Sequence, residues 1–246
     1  MLRPDLLTRF MAHLWSDAET AYRRRILAGL PHDASLQLLD VGCEDGAWTD
    51  ELRRAIGIAP DHVHGLEIVP DFVERARSRG FDVRSADLEE AWPFGERMFD
   101  FVHANQVIEH VRDLDHFVTE LKRVLKPGGS VVVCTENLAS WHNVFALVLG
   151  FQPFSLTHVS RRGSIGNPLA LHIGESSPGH SFQHVYVLSL TALRALFMAH
   201  GFVVESAWGE GYHPFPGRVG SGLARIDPRH SHFIGITALR PLESTR

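Results

Sequence analysis

Leu38-Leu39-Asp40-Val41-Gly42-Cys43-Glu44-Asp45-Gly46 is a short apolar run that ends in an acid and then in two glycines four residues apart. With the helical pattern that follows over residues 47–56, it reads as a strand, a tight turn and a helix. Glycines at such a turn let the backbone come close to a ligand, and the amides that open the helix favour a negatively charged or strongly polar group. Glu67 lies 21 residues beyond Gly46, at the end of the next apolar run. A carboxylate there can accept hydrogen bonds from both hydroxyls of a ribose. The two features together point to a cofactor that contains a nucleoside.

The same alternation extends outward in both directions. Residues 63–68, 81–86, 99–104 and 130–135 read as strands, with helices over 70–78, opened by Pro70, and 114–125. Upstream, Leu6, Phe10, Leu14, Ala18, Ala21 and Tyr22 recur near helical spacing, which predicts one or two amphipathic helices over 5–29. Downstream of Thr135 come a helix over 140–149, an irregular stretch over 151–183, a helix over 190–200 and a strand over 202–208. A glycine-rich loop, 209–231, precedes a last strand, 233–239. Strands alternating with helices imply a parallel sheet covered on both faces, and right-handed crossovers make it doubly wound.

The 246 residues are 44% apolar and 22% charged, with a formal net charge of −5. That balance predicts an ordinary soluble globular protein and argues against nucleic-acid binding through a basic stripe. The longest apolar stretch, residues 144–149, is far short of the roughly 20 residues a membrane span needs, so no membrane insertion is expected. Two cysteines, Cys43 and Cys134, make no disulfide framework and suit a reducing cytoplasm. One domain over 1–246 is expected: an N-terminal helical segment (1–35), a cofactor-binding core (36–136), and insertions over 137–189 and 209–231 that shape an acceptor site or lid.

Five ordered blocks carry a closer likeness: LLDVGCEDGAW from Leu38, Glu67, Ala86-Asp87-Leu88, FDFVHANQVIEHV from Phe99, and LKRVLKPGG from Leu121. Through them the chain resembles the class I S-adenosylmethionine-dependent methyltransferases. The resemblance implies a Rossmann-like sheet of seven strands with the last antiparallel. It also implies residue roles: Asp40, Gly42 and Gly46 around the methionine moiety, Glu67 at the ribose, Asp87 and Leu88 at the adenine, Asn105 and Gln106 near the sulfonium, with Cys43 and Ile68 as further cofactor-binding residues. Glu44 departs from the pattern, which often has glycine at that position. A dinucleotide cofactor ranks below, because its Gly-x-Gly-x-x-Gly fingerprint is replaced here by Gly-x-x-x-Gly.

The expected reaction is methyl transfer from S-adenosylmethionine to a small-molecule acceptor. O-methylation is favoured over C- or N-methylation because His110 and His142 are candidate bases, each shortly after a strand, and histidine is the side chain matched to neutral pH. The alternatives are a protein that binds S-adenosylmethionine without methyl transfer and an NAD(P)-dependent oxidoreductase. Some relatives place metal ligands as Glu-x-x-Glu-His after strand four. Gln106 replaces the first carboxylate here, and His158, His172 and His180 show no compact ligand spacing, so no metal is expected. Trp141, Phe151, Phe154, Tyr186, Trp208, Tyr212 and Phe215 are candidate walls of an apolar acceptor pocket, with Phe145 and Phe182 read as core. Arg23-Arg24-Arg25 reads as a solvated helix face.

Overall fold

The computed structural model describes residues 6–157, 165–170 and 183–243. The chain begins with one long helix, α1 (Leu6–Ala28), where the periodicity allowed one or two. The α/β units follow: β1 (Leu38–Val41), α2 (Ala47–Ile56), β2 (Val63–Glu67), α3 (Pro70–Arg77), β3 (Asp82–Ser85), β4 (Phe99–Asn105), α4 (Leu114–Val124) and β5 (Leu125–Glu136). The later part supplies α5 (Trp141–Val148), α6 (Leu190–Ala199), β6 (Val203–Glu210), α7 (Gly217–Ile226) and β7 (Phe233–Leu239).

The seven strands form one sheet in the order β3-β2-β1-β4-β5-β7-β6. β1 to β5 are mutually parallel, and β7 enters antiparallel between β5 and β6. Side chains alternate across the sheet, so successive residues of β1 feed different layers. Leu38 packs with Tyr22, Ile26, Leu52 and Val73 of α1, α2 and α3, whereas Leu39 packs with Phe117, Leu121 and Phe197 of α4 and α6. Burial on both faces explains why these strands read as continuous apolar runs. The strand order reverses at the neighbours β1 and β4, and crevices beyond the carboxyl ends of strands at such a point are where doubly wound sheets bind ligands.

Two local differences from the sequence reading have physical causes. The helix expected over 114–125 stops at Val124, and β5 starts at Leu125, running through the Lys126-Pro127-Gly128-Gly129 turn as a register irregularity against β4. Pro127 disfavours helix at the residue before it, so the strand conformation sets in early. The stretch 209–231 contains a helix, α7, which Gly217, Gly220 and Gly222 concealed by depressing helix propensity. Packing sustains it: Ala224 is fully buried, and a side chain at Gly220 would run into the Phe215 carbonyl.

Candidate active site

The turn between β1 and α2 is built by backbone that few residues adopt. Gly42 and Gly46 have φ of 71° and 75°, and Glu44 between them has φ of 47°. A Cβ on Gly42 would lie 2.5 Å from the Val107 side chain, so glycine is what allows the turn to close against the segment after β4. The Glu44 value explains why glycine is common at this position: the turn calls for left-handed backbone, where glycine is the unstrained choice, and Glu44 adopts it with strain. The Glu44 amide donates to Glu67 Oε2 at 2.9 Å, which holds the turn in place. Burial, then the nearby Glu67 and Asp45, raise the Glu44 pKa above the ordinary carboxylate value.

Glu67 ends β2 and is nearly buried, at 7% exposure. Its Oε1 accepts from the Ile68 and Val69 amides, both at 2.9 Å, so three backbone donors fix the carboxylate at the mouth of the turn. Asp40 is also anchored. Its oxygens accept from Thr49 Oγ1 at 2.5 Å and pair with His103 Nδ1 at 2.7 Å. Because Trp48 Nε1 donates to His103 Nε2, the proton of that ring belongs on Nδ1, facing Asp40.

A cavity of about 510 Å³ opens at this edge. Of the residues assigned to the cofactor from the sequence, Asp40, Gly42, Cys43, Glu67, Ile68, Asp87, Leu88, Asn105 and Gln106 all line it. Gly46 lies behind the wall, where it opens α2 and packs against Ala76 of α3. Gln106 shares the left-handed backbone of Glu44, with φ of 56°. Strained residues of this kind concentrate where a site demands a fixed shape. Asn105 Nδ2 donates to Tyr22 Oη at 3.4 Å, while Asn105 Oδ1 is buried with no hydrogen-bond partner among the described residues.

One wall comes from α1, which the sequence reading did not assign to the site. Trp15, Glu19, Tyr22 and Arg23 line the cavity. Their spacing puts them on one helical face, a signal available in the sequence. Arg23 pairs with Glu19 at 2.8 Å and lies over the Trp48 ring, 4.9 Å from its centroid. Arg24 and Arg25 are exposed, so the solvated-face reading holds for two of the three arginines and not for Arg23.

The same cavity is also lined by Glu109 and His110, which follow β4, by Glu136, which ends β5, and by His184. The His110 and His184 rings are 5.0 Å apart, and one ligand atom from each of Glu109, His110 and His184 lies within 4.8 Å of the others. Glu109 and His110 keep two positions of the Glu-x-x-Glu-His pattern in which Gln106 replaces the first carboxylate, and the fold adds His184, which sequence spacing did not reveal, to give a possible ligand set. Glu109 is 1% exposed, accepts from Thr135 Oγ1 at 2.8 Å, and has its pKa pushed up to about 7 by burial. His110 Nδ1 lies 3.3 Å from the Gln183 carbonyl, which favours the tautomer with the proton on Nδ1 and the lone pair on Nε2.

His142 lies outside this cavity lining, against His213 and His232. Burial, then His213, lowers its pKa to about 3. The aromatic residues expected to form an acceptor pocket do not line the cavity either. Tyr212 and Phe215 line a separate groove, Trp208 is buried, and Phe145, read as core, is 59% exposed. The aromatic residues that do line the cavity are Trp15, Tyr22, Trp48 and Phe72. His158, His172, His180 and Phe182 lie outside the described residues.

Comparison with known proteins shows the family and the fold. A family described as "Methyltransferase domain" matches residues 14–207. The human mitochondrial ubiquinone biosynthesis O-methyltransferase is 26% identical over 233 residues, covering 84% of this chain and 58% of its own length. The malonyl-[acyl-carrier protein] O-methyltransferase of Erwinia billingiae is 30% identical, covering 65% of this chain and 62% of its own length. This chain thus spans about three fifths of these relatives. A solved S-adenosylmethionine-dependent methyltransferase from Mesorhizobium loti superposes with a TM-score of 0.57 at 19% identity, covering 92% of this chain and all of that one, which shows a shared fold. With the family match, the strand order and the glycine turn in agreement, the chain belongs to the class I S-adenosylmethionine-dependent methyltransferases.

Proposed function

We propose that the protein transfers the methyl group of S-adenosylmethionine to an oxygen of a small-molecule acceptor, with His110 as the base. The observation that carries this reading is the single cavity. It is lined both by the glycine turn with Glu67 and by His110, His184 and Glu109. When bound, S-adenosylmethionine supplies an electrophilic methyl group. The cavity fits such a cofactor in volume and chemistry: its size is ordinary for a cofactor site, Glu67 presents a fixed carboxylate, and Asn105 Oδ1 is a buried acceptor left to be satisfied.

Glu67 and Ile68 would hold the ribose and Asp87 with Leu88 the adenine. Asp40, Gly42, Cys43 and Gly46 would shape the turn around the methionine moiety, and Asn105 and Gln106 would face the sulfonium. His110 Nε2 would take the proton of an acceptor hydroxyl as it attacks, and the Gln183 carbonyl would steady the ring through Nδ1–H. Alignment of the acceptor and exclusion of water account for the rest of the barrier reduction. The O-methyltransferase names of the matched relatives support oxygen as the acceptor atom. We read the whole chain as one such domain. Two buried free cysteines suit the cytoplasm, and no helix among the described residues is long and apolar enough to cross a membrane.

The test is incubation with methyl-labelled S-adenosylmethionine and two acceptor panels, one of phenols and one of carboxylic acids. Formation of S-adenosylhomocysteine together with a labelled ether or ester is expected. Cofactor binding with no transfer to either panel would favour a binding protein.

A further inference from the structure

We infer that His142, His213 and His232 form a binding site for one divalent cation of the Zn²⁺ type, which ties together three segments near the β5, β6 and β7 side of the sheet. His142 is in the first turn of α5, His213 lies in the segment after β6, and His232 immediately precedes β7. Residues this far apart in sequence are gathered so that one nitrogen of each ring lies within 4.8 Å of those of the other two. The ring centroids are 5.1, 4.7 and 4.4 Å apart, with interplanar angles of 39°, 27° and 34°.

The hydrogen bonding of the cluster is what points to a ligand. A neutral imidazole carries one N–H donor and one lone pair, and both normally find partners when buried. Both ring nitrogens of His232 are buried without a hydrogen-bond partner among the described residues, and the His213 ring has the Leu14 backbone as a partner. His142 Nε2 lies 3.3 Å from Ser140 Oγ. Phe154 and Phe233 stand edge-on to His142 and His232, at 5.5 and 4.2 Å, and offer the cluster no hydrogen-bonding side chain.

The donor set selects the cation. Imidazole nitrogens suit Zn²⁺ and neighbouring transition metals, whereas Mg²⁺ and Ca²⁺ take oxygen ligands. Ligation requires the unprotonated ring. Three histidines leave a fourth position for water. His213 is half-buried and lines a groove of about 520 Å³ together with Leu14 and Ala18 of α1, which provides a way in. The other possible ligand group, Glu109, His110 and His184, belongs to the cavity already described and is the competitor to be separated.

The experiment uses the untagged full chain, stripped with chelator and titrated with Zn²⁺ by calorimetry. Co²⁺ is used in parallel to read coordination from its visible absorption. The variants are H213Q, H232Q and H110Q, with circular dichroism and S-adenosylhomocysteine binding as checks on the fold. The native protein and H110Q are expected to bind an equivalent of Zn²⁺ that H213Q binds more than tenfold more weakly, and Zn²⁺ is expected to raise the thermal midpoint of the native protein but not of H213Q. H213Q changes a half-buried ring at the rim, so it keeps the test meaningful if H232Q does not fold. Zn²⁺ binding that H213Q leaves intact, binding lost only in H110Q, or no binding at all would overturn the inference.

Discussion

Replacing Glu67 with glutamine keeps the volume of the side chain and removes one acceptor oxygen and the charge. The native carboxylate divides its oxygens, one to the Ile68 and Val69 amides and one to the Glu44 amide. A glutamine that keeps its oxygen on Ile68 and Val69 turns its NH₂ toward the Glu44 N–H, donor against donor. Losing that charge-assisted bond costs about 1.5–3 kcal/mol of stability. For a chain of this length that is a fall in Tm of roughly 3–12 °C. The same change replaces an ionic acceptor for the ribose hydroxyls with a neutral one and releases the glycine turn. A loss of about 3 kcal/mol in binding corresponds to roughly a hundredfold weaker Kd. Calorimetric titration of native protein and variant with S-adenosylhomocysteine, beside thermal melts, measures both effects. An unchanged Kd in a destabilised variant would show that Glu67 holds only the turn, and the ribose assignment would fail.

Three other outcomes follow from the same geometry. His110→Gln should lower turnover by about 10²–10⁴-fold while S-adenosylhomocysteine binding stays near native, because general-base catalysis contributes in that range; equal turnover would make His110 structural. Burial holds the Glu109 carboxyl at about 7, so the folded state keeps a proton that the unfolded state sheds near 4.5. Stability associated with this group is complete below about pH 4.5 and lost as the pH rises through about 7, a total near 3 kcal/mol at 1.36 kcal/mol per unit. Glu109→Gln should therefore gain on the native protein in denaturant melts from pH 5 to pH 8, and a constant difference across that range would contradict the assignment. Glu44→Gly should keep cofactor affinity within a few fold and change stability by no more than about 1 kcal/mol, since relief of the left-handed strain offsets the added freedom of the unfolded chain. A large loss on chemical denaturation would show that the Glu44 side chain supports the turn.

The residues proposed to hold the cofactor could be named from the sequence because the features that mark them are local. A strand, a positive-φ turn and an acid at the end of the next strand announce themselves by spacing, and the alternation of strands and helices then fixes the sheet. The rest of the site depends on long-range encounters. His184 reaches His110 from a segment with no hydrophobic period, so nothing in its neighbourhood marks it. His142 shows the converse: it follows β5 closely, as a residue facing the acceptor should, yet its ring packs against His213 and His232. The wall made by α1 was readable in principle, since Trp15, Glu19, Tyr22 and Arg23 share a face. An arginine on that face is easily taken for solvent-facing when it adjoins two that are. In α7, three glycines erased the propensity signal, and only packing reveals the helix.

The most direct test of the cofactor site is a crystal structure of the complex with S-adenosylhomocysteine. Ribose hydroxyls on Glu67, the adenine beside Asp87 and Leu88, and the sulfur directed toward Gln106 and His110 are expected. Ligand density elsewhere on the molecule, or a ribose that makes no contact with Glu67, would contradict the assignment.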